Sequence, residues 1–117
     1  MVIKITHIIV HIIKSNLEVP FAFSQGWVNQ RSATLVEIKT NNGLTGWGEA
    51  FCQGLEPPEI SAAVIESALK PLLLEQSPLD IEVLWHKMYN MTRVYVLFFS
   101  FISSFIAIVF SLCFFSL

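Results

Sequence analysis

Residues 33–52, ATLVEIKTNNGLTGWGEAFC, constrain the fold more than any other stretch of the chain. Ala33, Leu35, Glu37 and Lys39 alternate with Thr34, Val36, Ile38 and Thr40. A period of two rich in β-branched side chains reads as a strand. Asn41-Asn42-Gly43 follows. Asn-Gly between two such runs predicts a hairpin, because both central positions of a type I′ turn need φ > 0. The second strand runs from Leu44 to Phe51 and carries Gly46 and Gly48 on either side of Trp47. Glycines inside a strand predict a bulge or a close approach by another backbone.

A further strand precedes the hairpin. Ile3, Ile5, His7, Ile9, His11 and Ile13 alternate with Lys4, Thr6, Ile8, Val10, Ile12 and Lys14, which predicts one long strand with each set on its own face. His7 and His11 do not form a chelate in that conformation. Four residues of strand separate them by about 13 Å, too far for one ion. Ser15 to Ser32, SNLEVPFAFSQGWVNQRS, reads as a long loop. Its Phe21, Phe23 and Trp27 stand beside Gln25, Asn29, Gln30 and Arg31. Aromatic groups that exclude water, mixed with amides that orient a polar ligand, suit a lid or binding loop. Anchoring of the loop on the domain's own core explains the same residues equally well.

After the hairpin, Gln53 to Pro58 reads as a second loop ending in prolines suited to a helix first turn. A helix is expected from Pro58 to Lys70, with Ile60, Ala63, Val64, Ala68 and Leu72 near one face. Pro71 should end or kink it, leaving a short turn over Leu72–Glu75. Ser77-Pro78-Leu79-Asp80 resembles a capping box. The helix it opens, Pro78 to Thr92, places Ile81, Leu84, Trp85 and Met88 on one stripe and His86 off it. The expected fold class is α+β: a three-stranded antiparallel meander followed by helices, plus a hydrophobic C-terminal helix.

The chain has 117 residues and a net charge of −2. Its seven Lys and Arg form no basic patch, which argues against nucleic acid as a partner. Cys52 and Cys113 lack motif spacing and read as unpaired thiols. No secretory signal is read at the amino terminus, where Ile8–Ile13 is too short and is interrupted by His11. No phosphate-cradling loop, GxSxG, CxxC or HExxH occurs. The acids are not grouped as a metal site, and Glu49 beside Trp47 reads as a structural acid rather than a ligand contact. No catalytic residue and no metal ligand is assigned.

Residues 1–93 resemble the amino-terminal capping domain of the enolase superfamily, in its mandelate racemase/muconate lactonizing enzyme group. The segments that carry the resemblance are IKITHIIVHII, VPFAFSQGW, ATLVEIKTNNGLTGWGEA and PLDIEVLWHKMYNMTR, of which GLTGWGEA is the most specific. The loops and helices look closest to acid-sugar dehydratases and lactone cycloisomerases. The resemblance implies a cap seated over the mouth of a (β/α) barrel. The barrel supplies Mg²⁺ and the Lys or His bases that abstract a proton α to a carboxylate. The cap would then select a carboxylate or acid-sugar substrate through two loops, mapped here to Val19–Arg31 and Gly48–Pro57. On that mapping Phe21, Phe23, Trp27, Arg31 and Phe51 become candidate substrate-binding residues. This chain would hold no cofactor itself. The parent family is expected in the cytoplasm.

The resemblance stops where the composition changes. Residues 94–117, VYVLFFSFISSFIAIVFSLCFFSL, contain no charge, Gly or Pro and seven of the ten Phe. The chain therefore divides into a cap, 1–93, and a hydrophobic tail, 94–117. Twenty-four uncharged, mostly apolar residues are long enough to span a bilayer, which gives a tail-anchored membrane protein with a cap-derived binding domain. The other reading is a translated intron or frameshift. Nearly all the tail's residue types have T-rich codons, and a Val codon at position 94 begins GT as an intron donor does. On that reading the chain is a truncated cap that is not catalytically competent alone.

Overall fold

The first strand is longer than the alternation predicts. In the computed structural model, which describes residues 2–50, 52, 55 and 57–93, β1 spans Ile5–Phe23, β2 Gly26–Thr40 and β3 Thr45–Ala50. They form one antiparallel sheet in the order β1-β2-β3. The helical part follows as α1 (Pro58–Val64), a π turn (Ile65–Leu69), α2 (Lys70–Leu73) and α3 (Ile81–Thr92). The expected α+β meander with helices on one face is therefore present.

Two details of the sheet differ from the sequence reading. The irregularity lies in β1, not in β3. Ile5 pairs with Thr40 but His7 pairs with Lys39, so Thr6 is an extra residue, and its Oγ1 donates to the Lys39 carbonyl at 3.2 Å. Such a bulge reverses the alternation. Ile5 and Ile8 consequently both lie on the helix-covered face, fully buried, whereas strict alternation sets them apart. From Thr45 to Ala50 the pairing with β2 is unbroken. Gly46, Gly48 and Ala50 stand opposite Ile38, Val36 and Thr34 on the buried side. The residues on that side are small, and neither glycine marks a bulge.

The β2–β3 connection is also not a two-residue type I′ turn. Thr40 and Leu44 close a three-residue loop, with Thr40 N–H donating to Leu44 O at 3.0 Å and Gly43 N–H to Thr40 O at 3.3 Å. Gly43 takes φ of +85°, and neither asparagine has a positive φ. A type I turn followed by glycine in the left-handed region is the usual three-residue solution. Asn41 is thereby freed to tie down the amino terminus. Its side chain accepts from Lys4 N–H at 3.0 Å and donates to Val2 O at 2.9 Å.

The helices cover the sheet with a stripe offset from the expected one. Ser61, Ile65, Leu69 and Leu73 are buried, while Ile60 and Ala63 are exposed and Val64, Ala68 and Leu72 are half-buried. Steps of four residues drift about 40° each in a regular α-helix. The wider turn at Ile65–Leu69, where Lys70 N–H reaches back to Ile65 O, keeps the four in line. It also loosens the helix just ahead of Pro71, whose ring a tight turn would not admit. The helix accordingly passes through Pro71 and stops at Leu73.

Glu75 takes a left-handed φ of 66°. There the chain turns onto β1, with Glu75 N–H donating to Ile5 O and Ile5 N–H to Gln76 O, both at 2.9 Å. The capping box is a separate turn. Ser77 Oγ accepts from Leu79 N–H at 3.3 Å, and α3 starts only at Ile81 behind an Asp80 that makes no side-chain cap. Leu84, Met88 and Thr92 are its buried residues, with Ile81 and Trp85 half-buried and His86 exposed. One core joins Ile5, Ile8, Val36, Ile38 and Ala50 to Ile65, Leu69, Leu73, Leu84 and Met88. Each fully buried Ile, Leu or Met contributes about 1.5–3 kcal/mol.

The expected tail helix, with its membrane reading, and Phe51 lie outside the described residues. Among the described residues no helix is long and apolar enough to cross a membrane.

Candidate functional site

The segment read as an eighteen-residue loop is a hairpin arm. After Asn16 pairs with Gln30, the ladder resumes with Phe21↔Val28, Ala22↔Trp27 and Phe23↔Gly26. Ser24 and Gln25 alone make the turn. The β-branched and aromatic residues Val19, Phe21, Phe23, Trp27 and Val28 favour extended backbone, and this preference outweighs the polar residues among them. Between the two ladder segments, Leu17 to Pro20 stand opposite Asn29 alone. Pro20 has no N–H to give a ladder, so it falls where the ladder is interrupted.

The structure brings this hairpin tip against the chain that leaves β3. Gly26, with φ of +155°, lies under Leu55, whose methyl carbons would be 3.7 Å from an added Cβ. Further back, the buried Thr34 Oγ1 donates to Pro58 O at 3.1 Å and lies 3.9 Å from Cys52 Sγ. Cys52 Sγ in turn reaches Ala50 O at 3.7 Å. The two segments expected to act together are thus fastened side by side at one end of the sheet.

Phe21 is partly exposed, Phe23 is half-buried opposite Gly26, and Trp27 keeps 66% of its surface exposed. Arg31 is exposed and sets its guanidinium carbon 4.8 Å from the Phe21 ring centroid. Gln30 Nε2 donates to Asn16 Oδ1 at 3.1 Å across the arm. Phe21 and Arg31 therefore meet at the tip, whereas Trp27, paired with Ala22, lies on the opposite face of the hairpin from Phe21 and Phe23. Val28, fully buried at its base, is the anchor that sequence reasoning missed; its strand propensity was the available signal.

A second polar group occupies the sheet face away from the helices. His11 Nε2 lies 3.1 Å from Glu37 Oε2, Lys39 Nζ lies 3.3 Å from Glu37 Oε1, and the His11 ring stacks on Trp47 at 5.5 Å. Glu37 pairs with Ile9 and His11 with Leu35, so this is a diagonal cross-strand contact. The His11 hydrogen bond, with Lys39 beside it, holds the Glu37 carboxyl below its ordinary range against the opposing effect of burial. Lys14 does the same for Glu59 from across the β1–α1 contact.

Residues 4–105 match the family described as mandelate racemase / muconate lactonizing enzyme, N-terminal domain. The chain belongs to this family. Among curated proteins it is 36% identical over 90 residues to D-galactarolactone cycloisomerase of Agrobacterium fabrum, covering 77% of this chain and 22% of that protein. It is 43% identical over 56 residues to arabinonate dehydratase of Saccharolobus solfataricus, covering 48% of this chain and 14% of that protein. Among solved structures, a mandelate racemase-like protein from Bordetella bronchiseptica superposes with a TM-score of 0.79 at 24% identity. That superposition covers 94% of this chain and 29% of the other, and shows the shared fold.

The chain thus spans under a quarter of the length of these curated relatives. The Mg²⁺ that the mandelate racemase/muconate lactonizing enzyme family implies does not fit the residues here. Mg²⁺ needs clustered oxygen ligands. Among the described residues no three His, Cys, Asp or Glu side chains come together to hold a metal, and Glu37, Glu59, Glu66 and Glu75 are each engaged by a lysine. The tip has the means to bound a pocket, exclude water and orient a polar ligand. Residues 19–31 contain no His, Lys, Asp or Glu.

Proposed function

We propose that this chain is the substrate-capping domain of an enzyme that abstracts a proton α to a carboxylate, as racemase, cycloisomerase or acid-sugar dehydratase. The observation that carries the reading is the pairing of the two family-specific segments. The β1–β2 tip and the chain after β3 are held together at Gly26 and Leu55, with Phe21, Trp27 and Arg31 exposed on the tip. Phe21, Phe23 and Arg31 form the lid of a site whose metal and bases lie in a barrel, with Trp27 on the hairpin's other face; Phe51, assigned the same role by the sequence, lies outside the described residues. The substrate is a carboxylate, and the two curated relatives support an acid sugar or its lactone. Mg²⁺ belongs to the barrel and would stabilise the enediolate there. The cap's share is selection of the substrate's far end and removal of water around the reacting carbon. Residues 94–117 are, on this proposal, translated intron or frameshifted sequence, although the family match runs on to residue 105.

The test has two arms. The purified 117-residue chain, supplied with Mg²⁺ and a panel of acid sugars, is expected to show no turnover. Residues 1–93 exchanged for the equivalent cap of arabinonate dehydratase are expected to give an active enzyme with altered substrate preference. Turnover by the chain alone overturns the division of labour. Sequencing the transcript across codons 93 and 94 checks the tail: a spliced message that continues into a barrel is expected, and an abundant unspliced message overturns that part.

A further inference from the structure

The Asn-Gly pair that marks the β2–β3 reversal has a chemistry of its own. It is the only Asn-Gly in the chain, and residues 41–43 are all exposed. Asparagine is among the thermolabile residues, because the backbone nitrogen of the next residue can attack its carboxamide carbon and close a five-membered ring. The loop favours that attack at Asn42. Gly43 has no Cβ to obstruct it, and the space around that position is empty to 4 Å. Its N–H is held by a long bond to Thr40 O, at 3.3 Å. Asn42 Oδ1 accepts from Leu44 N–H at 3.4 Å and lies 2.5 Å from Thr40 Oγ1, which bends the carboxamide over the Gly43 peptide. Among the described residues nothing accepts a hydrogen bond from Asn42 Nδ2.

The other asparagines lack this combination. Asn41 is fastened at both ends of its carboxamide, to Lys4 N–H and Val2 O, and precedes a residue with a side chain. Asn16 accepts from Gln30 and is followed by Leu17. Asn29 is followed by Gln30, and Asn90 lies inside α3, where the next backbone N–H belongs to the helix ladder.

We propose that Asn42 is a site of spontaneous deamidation, with water as the only co-reactant, and that its isoaspartyl product loosens the β2–β3 hairpin. The Gly43 nitrogen bonds to Asn42 Cγ, the Cγ–Nδ2 bond breaks, and the Gly43 proton leaves with the amide as ammonia. Water then opens the cyclic imide at one of its two carbonyls. Opening at Cγ gives an ordinary aspartate, whose carboxylate still accepts from Thr40 and Leu44. Opening at the backbone carbonyl gives isoaspartate, which routes the main chain through Cβ and Cγ and lengthens a loop that Thr40 and Leu44 close at 3.0 Å. The damage stays at this end of the sheet. Strand β2 separates the loop from the hairpin tip by on the order of 45 Å, at about 3.3 Å per residue.

The test ages the 117-residue chain in mildly alkaline buffer made with heavy-oxygen water. Peptide mapping by mass spectrometry follows, with electron-transfer fragmentation to tell the two acids apart. Asn42 is expected to lose its amide ahead of Asn16, Asn29, Asn41 and Asn90. Its products should be isoaspartate and aspartate, each with one heavy oxygen. Gly43→Ala should abolish the lead of Asn42 over the other asparagines. An intact Asn42 amide beside conversion elsewhere overturns the proposal, and so does aspartate formed without isoaspartate, since direct hydrolysis bypasses the imide. The products are then separated and melted in urea. The isoaspartyl form should show a lower midpoint than the unaged chain and the aspartyl form an unchanged one. Equal midpoints for all three overturn the effect on the hairpin.

Discussion

Glu37 and Thr34 show how much a single β2 residue holds. The Glu37 carboxyl is kept ionised by His11 and Lys39, so its affinity for a proton is lower in the folded chain than its ordinary value of 4.5 implies. A group depressed in this way contributes stability above the ordinary value and loses the contribution as pH falls through the lowered one. The urea midpoint should therefore drop as the solution is acidified below pH 4.5, and Glu37→Gln should flatten part of that slope. A pH series of urea melts on both proteins measures the difference. Thr34 makes a different kind of contribution. Its buried hydroxyl donates to the carbonyl of Pro58, which also opens the α1 ladder, so Thr34→Val removes one buried hydrogen bond at a cost of about 0.5–1.5 kcal/mol, read from the shift in urea midpoint at constant m. Both residues were legible as strand positions but not as partners. A diagonal contact such as His11–Glu37 follows only from the register, and the register depends on the Thr6 bulge. The Arg31–Phe21 contact was hidden for the same reason. The two residues lie on opposite arms of the hairpin, and only the shifted pairing beyond Asn16 brings them together.

At the level of elements, the order and type of strands and helices were readable because period two and helix punctuation are local signals. Faces and stripes were not. One inserted residue in β1 moves Ile5 onto the side of Ile8. One wide turn puts Ile65 and Leu69 inward in place of Ile60 and Ala63. The hairpin turn illustrates the same point with one residue. Asn-Gly correctly marked the reversal, but the backbone uses three residues and asks a positive φ of Gly43 alone. Gly43→Ala should consequently destabilise the chain by about 1 kcal/mol even though the space around its Cβ is open, because an L side chain is strained at that φ. Asn42→Ala tests the assignment from the other side, beside Asn42→Asp, which keeps an acceptor for Thr40 and Leu44. Thermal melts should show no backbone penalty at Asn42, whereas a type I′ turn would impose one.

For the molecule as a whole, the family and its fold were legible, since GLTGWGEA and the flanking strands carry the resemblance. The reach of the site was not, because its aromatic residues belong to a strand ladder rather than to a free loop. The described surface also keeps Ile13, Val19, Trp27 and Trp47 at least half exposed. On the proposed reading, part of this apolar surface faces a barrel. Patches of that kind drive association when uncovered. Sedimentation velocity on residues 1–93 is expected to show self-association at micromolar concentration, reduced by Trp27→Ser. A monodisperse monomer would count against a missing partner.

The mismatch at Leu17–Pro20, where four residues of one strand face one of the other, bears on how such caps diverge. Everywhere else in the sheet an added residue would turn core side chains outward. Here the two strands are already out of step, so an insertion or deletion alters only the length and heading of the arm beyond it. Natural length variation among related caps should collect at this point, where a lineage can retune its grasp without disturbing the body of the domain.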